Sequence, residues 1–415
     1  MNKQLYLVTE TFPYGTGEKT FILPELDELA KNYDVTIISH ASKAVLKDKV
    51  NETKLDGRIK NVNIDIDLKW YKKILYLFKF FADQDGIREL KYILRAKKKI
   101  FTRIYQSIGF YALAMENYAL MRKKGLLHFD VETIYYTYWY FYYTYSMTKN
   151  KAKFSKVKIV TRAHRFDLYS EEYKGNRQPF KEIMDMKLDR VFFISDQGRD
   201  YYFREYDIKD RHKYVVSRLG TIGEDREHSQ LKRSNSKFRI VSCSSVIPLK
   251  RVELIVEALS LLDESIEWIH FGTGSENDKI TELAEQLLKP KENISYRLMG
   301  YVPNDEVKEY YRMNYVDCFI STSSSEGLPV SIQEAMAFGI PIIATDVGGV
   351  SELVENNGIL LKNNPNKEGI AHAIKDLFYM SESEYNNLRE NSYKNWLCKY
   401  NAVTNRTKFI EMLED

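Results

Sequence analysis

The chain has 415 residues, of which 44% are hydrophobic and 29% are charged, and this composition excludes a disordered or collagen-like protein and favours two globular domains of roughly 200 residues. A net charge of +4 does not favour a nucleic-acid-binding protein, and three distant cysteines exclude a Cys-x-x-Cys zinc site or a disulfide framework and suit a reducing cytosol. No apolar run approaches the ~18 residues of a membrane-spanning helix, so none is predicted.

The N-terminal half begins with a βαβ pattern. A short apolar run at 5–9 is followed by a glycine-containing loop, helical spacing from Phe21, and a second apolar run at 34–39. A strand, a glycine loop, a helix and a strand within about 40 residues predict a parallel sheet. Further strands of this half are predicted at 133–138, 157–162 and 190–195.

A basic and aromatic helical segment covers residues 68–125. Only four acidic residues oppose its cations, and aromatic residues lie between them. Basic amphipathic helices of this kind can lie on anionic membranes, but a solvated basic face over an ordinary core remains equally open. Nucleic acid is a third option, although no DNA- or RNA-binding module is recognisable. The fourteen cations are Lys69, Lys72, Lys73, Lys79, Arg88, Lys91, Arg95, Lys97, Lys98, Lys99, Arg103, Arg122, Lys123 and Lys124.

An aromatic run follows at 135–145. It could line a ligand cleft with aromatic faces, or it could form a strand and helix of the core.

The pattern of strands and helices restarts after a polar stretch. We predict a first Rossmann-like domain at 1–221, a linker at 222–236, a second Rossmann-like domain at 237–400, and a C-terminal helix at 401–415. The fold class is therefore α/β, with two doubly wound domains that face a central cleft. The strands of the second domain are predicted at 238–242, 267–271, 295–299, 318–321, 342–345 and 359–361.

The segment 317–341 carries the most chemical information. A buried strand ends at Ser321, a loop of small residues follows, Pro329 occupies the first position of a helix, and Gly339 ends it. The free N–H groups and the dipole at the start of this helix form an anion site suited to a diphosphate. Glutamates at positions 326 and 334 lie at the start of the helix and inside it, although two solvated glutamates on an amphipathic helix are the ordinary alternative.

Glu326 and Glu334, seven residues apart around Gly-Leu-Pro, resemble the E-x7-E motif of the retaining GT-B glycosyltransferases of family 4. This resemblance implies that Glu326, with the backbone of Gly327 and Leu328, holds hydroxyls of the transferred sugar, and that Glu334 binds the ribose. It also implies that the helix start at 327–329, with Pro329, receives the leaving diphosphate. Two glycines of the following loop, 348 and 349, would let the backbone pass close by, unless they form an ordinary turn.

The segment 242–259 is similar to the strand-to-helix phosphate segment of the same family. Lys250 matches the lysine that binds the diphosphate, whereas Ser245 stands where an arginine is usual. One cation fewer should weaken the stabilisation of the leaving group, and Arg251 either compensates or points outward. Two weaker resemblances follow: Gly272 and Gly274 match a Gly-x-Gly turn of the family, and Tyr301 lies in a segment similar to one near the nucleobase.

In the N-terminal half, residues 160–169 resemble the His-Gly-x-Asp segment of the family, with Arg165 in place of glycine. The resemblance implies that His164 faces the donor sugar with Asp167 nearby; the alternative is a structural histidine. The first loop also resembles a family loop, so the backbone at Gly17 could approach donor or acceptor.

The resemblance as a whole implies a retaining hexosyltransferase that uses a nucleotide-diphosphate sugar, with UDP-hexose favoured over GDP-mannose. It implies that the N-terminal domain at 1–221 binds the acceptor and that the C-terminal domain at 237–400 binds the nucleotide sugar. It also implies that the helix at 401–415 packs back on the first domain.

The catalytic residues of this enzyme would be Glu326, Lys250 and His164. No metal or other cofactor is expected, since the Asp-x-Asp pairs at 65–67 and 83–85 lie in polar or helical surroundings. The expected partners are the nucleotide sugar, a saccharide or lipid-diphosphate-linked acceptor and the inner leaflet of the membrane, and no nucleic acid. We expect a cytoplasmic protein, peripheral at the membrane; the alternative is a non-catalytic scaffold with the same fold.

Overall fold

The computed structural model describes residues 3–15, 17–47, 52–128, 131–149, 151, 156–206, 208, 211–223 and 237–414. The chain forms two compact units. The first comprises Met1–Ser217 with Arg406–Asp415, and the second comprises Arg218–Asn405. Each unit contains one parallel sheet with helices packed against it.

The first unit is built on a seven-stranded sheet with the order β3-β2-β1-β4-β5-β6-β7. All of its strand pairs are parallel. The central strands are buried along most of their length, as expected when helices cover both faces of a parallel sheet. The strands are β1 Lys3–Val8, β2 Tyr33–Ser39, β3 Lys60–Asn63, β4 Thr133–Thr137, β5 Val157–Ala163, β6 Arg190–Phe193 and β7 Tyr214–Val216.

Nine helices of the first unit lie in the residues that the structure describes. Three of them follow one another without a strand between them and cover the region that the sequence marks as basic and aromatic. The helices are α1 Lys19–Asn32, α2 Lys43–Lys47, α3 Trp70–Ala82, α4 Gln84–Ala96, α5 Ile100–Lys123, α6 Tyr142–Thr148, α7 Arg165–Leu168, α8 Lys181–Asp185 and α9 Asp196–Glu205. A 3₁₀ turn covers Ser170–Glu172.

The second unit is built on a six-stranded parallel sheet with the order β10-β9-β8-β11-β12-β13. Its strands are β8 Phe238–Cys243, β9 Ile266–Phe271, β10 Ile294–Leu298, β11 Cys318–Ser321, β12 Ile342–Thr345 and β13 Gly358–Leu361. Its helices are α10 Val252–Ser260, α11 Asn277–Leu287, α12 Asn304–Met313, α13 Val330–Ala337, α14 Lys367–Phe378 and α15 Glu382–Asn395. Short turns cover Pro248–Lys250 and Gly348–Glu352, and a π-helical turn covers Trp396–Tyr400.

The last helix, α16 Ala402–Glu414, belongs to the first unit from residue 406 onward. Phe409 and Leu413 are buried in the core beside the central strands β1 and β4. The guanidinium of Arg162 lies 4.2 Å from the centre of the Phe409 ring and pairs with Glu25 at 2.6 Å. The helix therefore supplies apolar surface and an aromatic partner for a buried cation of the sheet.

Several sequence-based expectations change in detail. The edge strands β3 and β7 were not predicted, because short segments such as Lys60–Asn63 lack an apolar pattern. Pro329 is the residue before α13 and not its first residue.

The tyrosines of the aromatic run, Tyr135 to Tyr145, are buried in the core of the first unit, which favours the core interpretation. Most of the expected linker, residues 224–236, lies outside the described residues.

Candidate functional site

An ion pair joins two loops at the carboxyl end of the second sheet. Lys250 ends the turn after β8, and Glu326 lies in the loop after β11. The Lys250 Nζ lies 2.6 Å from Glu326 Oε1, and the two side chains keep 20% and 12% of their exposure. Because β8 and β11 are neighbours in the sheet, the fold brings together two residues that are 76 positions apart. The pair is accessible to a ligand from solvent.

The loop after β11, residues 322–329, is called here the serine loop. Arg251 holds it in place: its Nε donates to the carbonyl of Thr322 at 2.7 Å, and its Nη2 donates to the carbonyl of Ser323 at 3.0 Å. The same guanidinium reaches Asn363 O and Asn364 Oδ1 in the loop after β13. In this conformation Arg251 is a positioning residue, and the predicted contact with a phosphate would require it to leave these partners.

Glycines permit a close contact between the serine loop and the loop after β12. A Cβ atom at Gly348, whose φ is +56°, would lie 1.8 Å from the carbonyl oxygen of Glu326. Gly349 N donates to Gly327 O at 2.7 Å, and a Cβ at Gly349 would contact Leu328 Cδ1 at 3.1 Å. Larger residues at these two positions would displace the backbone that carries Glu326.

Helix α13 starts directly behind the serine loop. Within the described part of the chain, no side chain caps its N-terminus after Pro329, so its first N–H groups remain available to an anion. Glu334 lies inside this helix, is 5% exposed, and accepts a hydrogen bond at 2.8 Å from the side chain of Asn304. Burial raises the pKa of the Glu334 carboxyl, and the hydrogen bond from Asn304 opposes this shift.

The Gly-x-Gly turn after β9 supports the loop that leads to Lys250. A Cβ atom at Gly272 would lie 1.8 Å from Ser244 O, and one at Gly274 would lie 2.2 Å from Val246 O. These glycines therefore allow close packing of the protein's own backbone. Gly272 also pairs with Gly300, which brings Tyr301, 78% exposed, beside this turn.

In the first unit, a carboxylate occupies the loop after β1. Glu18 is 4% exposed and accepts hydrogen bonds from the backbone N–H groups of Glu10, Thr11 and Phe12 at 3.1, 2.6 and 2.8 Å. A set of converging N–H groups of this kind is an anion site, and here a side chain of the protein fills it. Gly17, in contrast, is exposed, and a Cβ atom there would meet no atom within 4 Å.

Glu18 also fixes an aromatic residue beside His164. The indole Nε1 of Trp139 donates to Glu18 Oε1 at 2.5 Å, and the Trp139 ring lies 4.4 Å from the ring of His164. His164 follows β5, is 7% exposed, and neither of its ring nitrogens has a hydrogen-bond partner among the described residues. Asp167 Oδ2 lies 3.9 Å from His164 Nδ1, and the Asp167 carboxylate accepts hydrogen bonds from the backbone N–H groups of His164 and Tyr140.

Glu10 lies at the same edge of the first sheet, two residues after β1. Burial raises the pKa of its carboxyl to about 7, and the negative charge of Glu18 adds to this effect. In one of the two Asp-x-Asp segments, Asp83 pairs with Lys149 at 2.6 Å. Across the described ranges, no group of three or more metal-ligating side chains is present.

The second unit thus brings Lys250, Glu326, the serine loop and the start of α13 together at one edge of its sheet, with Glu334 inside the helix. The first unit brings His164 together with two residues that sequence reasoning did not single out, Glu18 and Trp139. A carboxylate directly after the glycines of the first loop was the available signal for Glu18. Trp139 lies within the aromatic run at 135–145, where nothing in the sequence distinguishes it from its aromatic neighbours.

The C-terminal part of the chain is similar to known proteins. Residues 223–395 match the family described as glycosyl transferases group 1. The O-antigen biosynthesis glycosyltransferase WbnH of Escherichia coli is 30% identical over 168 residues, which are 40% of this chain and 44% of that protein. The putative colanic acid biosynthesis glycosyltransferase WcaL of Escherichia coli K12 is 28% identical over 48% of this chain and 49% of that protein. The alignments thus span less than half the length of these curated relatives.

Solved structures show the fold over the whole chain. A crystal structure of Anabaena Alr3699/HepE in complex with UDP has a TM-score of 0.66 at 15% identity, and it covers 99% of both chains. The lipopolysaccharide outer core galactosyltransferase WaaB in its apo form has a TM-score of 0.67 at 13% identity with the same coverage. The two parallel α/β units are those of the GT-B fold.

Proposed function

We propose, from the premise that residues 223–395 form a group 1 glycosyltransferase domain, that this protein is a hexosyltransferase. It transfers a hexose from a UDP-hexose to a lipid-linked saccharide acceptor in the synthesis of a bacterial-type surface polysaccharide, with retention of anomeric configuration. The names of the relatives, in O-antigen and colanic acid biosynthesis, support the acceptor class, and the UDP complex of a structural neighbour supports the donor class.

The observation that carries this proposal is the contact of Lys250 with Glu326 at the start of α13. A cation, a carboxylate and the free N–H groups of a helix lie within one loop cluster. A nucleotide sugar needs these three groups, because its diphosphate is anionic and its sugar hydroxyls donate hydrogen bonds to carboxylates.

In the reaction that we propose, the bond between the anomeric carbon and the diphosphate breaks as the acceptor oxygen forms the new bond on the same face. Lys250 and the N–H groups after Pro329 stabilise the charge that develops on the leaving diphosphate. The acceptor proton passes to an oxygen of that diphosphate, so no protein base is required. Glu326 holds hydroxyls of the sugar, Glu334 binds the ribose, and His164 assists from the first unit.

We further propose that the enzyme works at the cytoplasmic face of the membrane, requires no metal and does not bind nucleic acid. No helix in the described part of the chain has the length and apolar character to cross a bilayer. A lipid-linked acceptor would bring the protein to the membrane surface.

The test is nucleoside diphosphate release from a panel of UDP- and GDP-sugars, with the wild-type protein and with Glu326→Ala. Glu285→Ala, on the exposed side of α11, is the matched control because its side chain is 57% exposed and lies in the same unit. We expect slow release from one UDP-hexose, loss of release in Glu326→Ala, and no change in Glu285→Ala.

The acceptor and the stereochemistry are tested next, by adding lipid-linked saccharide extracts and determining the anomeric configuration of the product by NMR. An inverted product would contradict the retaining mechanism. Absence of release and of donor-induced thermal stabilisation, with and without acceptor extracts, would favour the non-catalytic scaffold.

A further inference from the structure

Helix α3 exposes a continuous apolar face. Helical spacing places six large apolar side chains on one side of the helix, whereas Tyr76 and Phe80 on the other side are buried in the core. Trp70 and Phe78 are 74% and 69% exposed, which is unusual for two large aromatic residues on one helix face. The six residues are Trp70, Tyr71, Ile74, Leu75, Phe78 and Phe81.

Most of the solvent-exposed charged side chains around this face are positive. The four acidic residues of the segment have partners inside the unit: Asp83 and Asp85 pair with Lys149, Glu89 with Arg177, and Glu116 with Lys72. The segment therefore shows cations to solvent and turns its carboxylates inward. Ten exposed cations form no ion pair in the part of the chain that the structure describes: Lys69, Lys73, Lys79, Lys91, Arg95, Lys97, Lys98, Arg122, Lys123 and Lys124.

A basic groove lies beside the apolar face. Lys79 follows Leu75 by four residues on α3 and is therefore adjacent to it on the helix surface. Lys79 lines a groove of about 520 Å³ between α3 and α5, together with Arg122 and Lys123 at the C-terminal end of α5. Apolar side chains thus border a cluster of three cations, which is the arrangement that suits acyl chains next to anionic headgroups.

We propose that α3 lies in the interface of an anionic membrane, with its apolar face among the acyl chains and the groove at Lys79, Arg122 and Lys123 against lipid phosphates. The helix has 13 residues and is about 20 Å long, so it can lie in the interface but is too short to span the bilayer. Aromatic residues such as Trp70 and Tyr71 favour the level of the headgroups. This inference stands on α3 and its surroundings and does not depend on the transfer reaction.

A second copy of the chain is the competing occupant of the face, and charge disfavours it. A two-fold interface places the same patch on both partners, so the cations beside α3 would oppose the cations of the other copy. An anionic lipid surface instead attracts each of these cations.

The experiment measures binding of the full chain to phosphatidylcholine vesicles with and without phosphatidylglycerol, by cosedimentation and tryptophan emission. Trp268 and Trp396 are buried and Trp139 is partly buried, so Trp70 is the tryptophan whose environment changes most on insertion. We expect binding only to the anionic vesicles, weakening as salt increases, with a blue shift and quenching by brominated lipid.

Two sets of variants separate the apolar and the ionic contributions. Trp70→Ser with Phe78→Ser should lower the partition coefficient at least about tenfold, because two exposed aromatic side chains no longer enter the bilayer. Lys79→Gln with Arg122→Gln and Lys123→Gln should lower it on the order of 100-fold at low salt. The control is Met313→Ser with Leu397→Ser, which removes two apolar side chains, 66% and 44% exposed, from the second unit and should leave binding unchanged.

Three results would overturn the proposal. The first is equal binding of wild type to vesicles with and without phosphatidylglycerol, or binding to neither. The second is unchanged binding of the Trp70/Phe78 variant, with wild-type emission that brominated lipid does not quench. The third is a dimer in light scattering that the Trp70/Phe78 variant converts to a monomer, which would assign the face to a second copy.

Discussion

The two units satisfy the polar groups at the carboxyl ends of their strands in different ways. In the second unit, Lys250 has Glu326 as a partner, and Arg251 is occupied by backbone carbonyls. In the first unit, the ring nitrogens of His164 have no hydrogen-bond partner among the described residues, and burial raises the pKa of the Glu10 carboxyl. The cation of the second unit is thus paired in advance, whereas the first unit leaves the ring nitrogens of His164 without a hydrogen bond and places the Glu10 carboxyl in an unfavourable environment.

We therefore expect a ligand to complete the hydrogen bonds of His164 more than the ion pair of Lys250. Substitutions in the second unit should therefore mainly affect the chemistry of a bound donor. Substitutions in the first unit should also change stability, because Glu18 compensates several backbone groups and Glu10 is held in an unfavourable environment.

Lys250→Met should reduce nucleoside diphosphate release by about 10²- to 10³-fold, because the leaving diphosphate loses its principal cation. The rate of release under saturating donor is the measurement. Lys289→Met, an exposed lysine of the same unit, is the control. A rate within about twofold of wild type would mean that Lys250 only pairs with Glu326.

Glu18→Ala should lower the free energy of unfolding by about 2–4 kcal/mol, since three backbone N–H groups and the Trp139 indole lose their acceptor. Urea denaturation measures the loss, and hydrogen exchange at residues 10–12 should locate it. Glu18→Gln, which keeps one oxygen as an acceptor, should lose less. Unchanged exchange at residues 10–12 in Glu18→Ala would contradict this role.

Glu10→Gln should stabilise the protein in a pH-dependent manner. The pKa of Glu10 is raised from 4.5 to about 7, so folding favours the protonated carboxyl. Below pH 4.5 both states are protonated and variant and wild type should differ little; as the pH rises to 7, wild type loses stability relative to the variant. The difference in unfolding free energy should reach about 2–3 kcal/mol above pH 7. A difference that does not depend on pH would contradict the shift.

His164→Ala should reduce sugar transfer about tenfold, the effect of losing one hydrogen bond to a ligand. His164→Asn, which retains an amide donor, should recover part of the rate. Phe166→Ala removes a neighbouring side chain that is 52% exposed and serves as the control. Equal rates of sugar transfer for wild type and His164→Ala would mean that His164 has only a structural role.

Much of the fold follows from local apolar patterns. The central strands, such as β5 and β11, are short apolar runs that stay buried in a parallel sheet, so the sequence indicates them directly. Among the strands that the structure describes, the edge strand Lys60–Asn63 pairs with another strand on one side only. Its sequence is polar, so no local apolar pattern predicts a strand there. The E-x7-E spacing indicated the loop and helix of Glu326 and Glu334 because both carboxylates lie in one continuous segment.

Other features depend on contacts that no local pattern records. Trp139 meets Glu18 across 121 residues, and only the order of strands β1 and β4 brings them together. The exposure of the apolar face of α3 could not be predicted from the sequence for a different reason. The helical period determines that Trp70 and Phe78 share a side, but which side faces the core depends on packing against α5.

The contacts of Arg251 have a consequence for the order of folding. Its guanidinium joins the turn at residue 251 to the serine loop and to residues 363–364, which are 71 to 113 positions away in sequence. Such long loops close only after the intervening strands have taken their places in the sheet, so contacts of this kind form late. During refolding, secondary structure should therefore return before the geometry around Glu326, and a truncated chain that ends before β13 would lack part of what holds the serine loop.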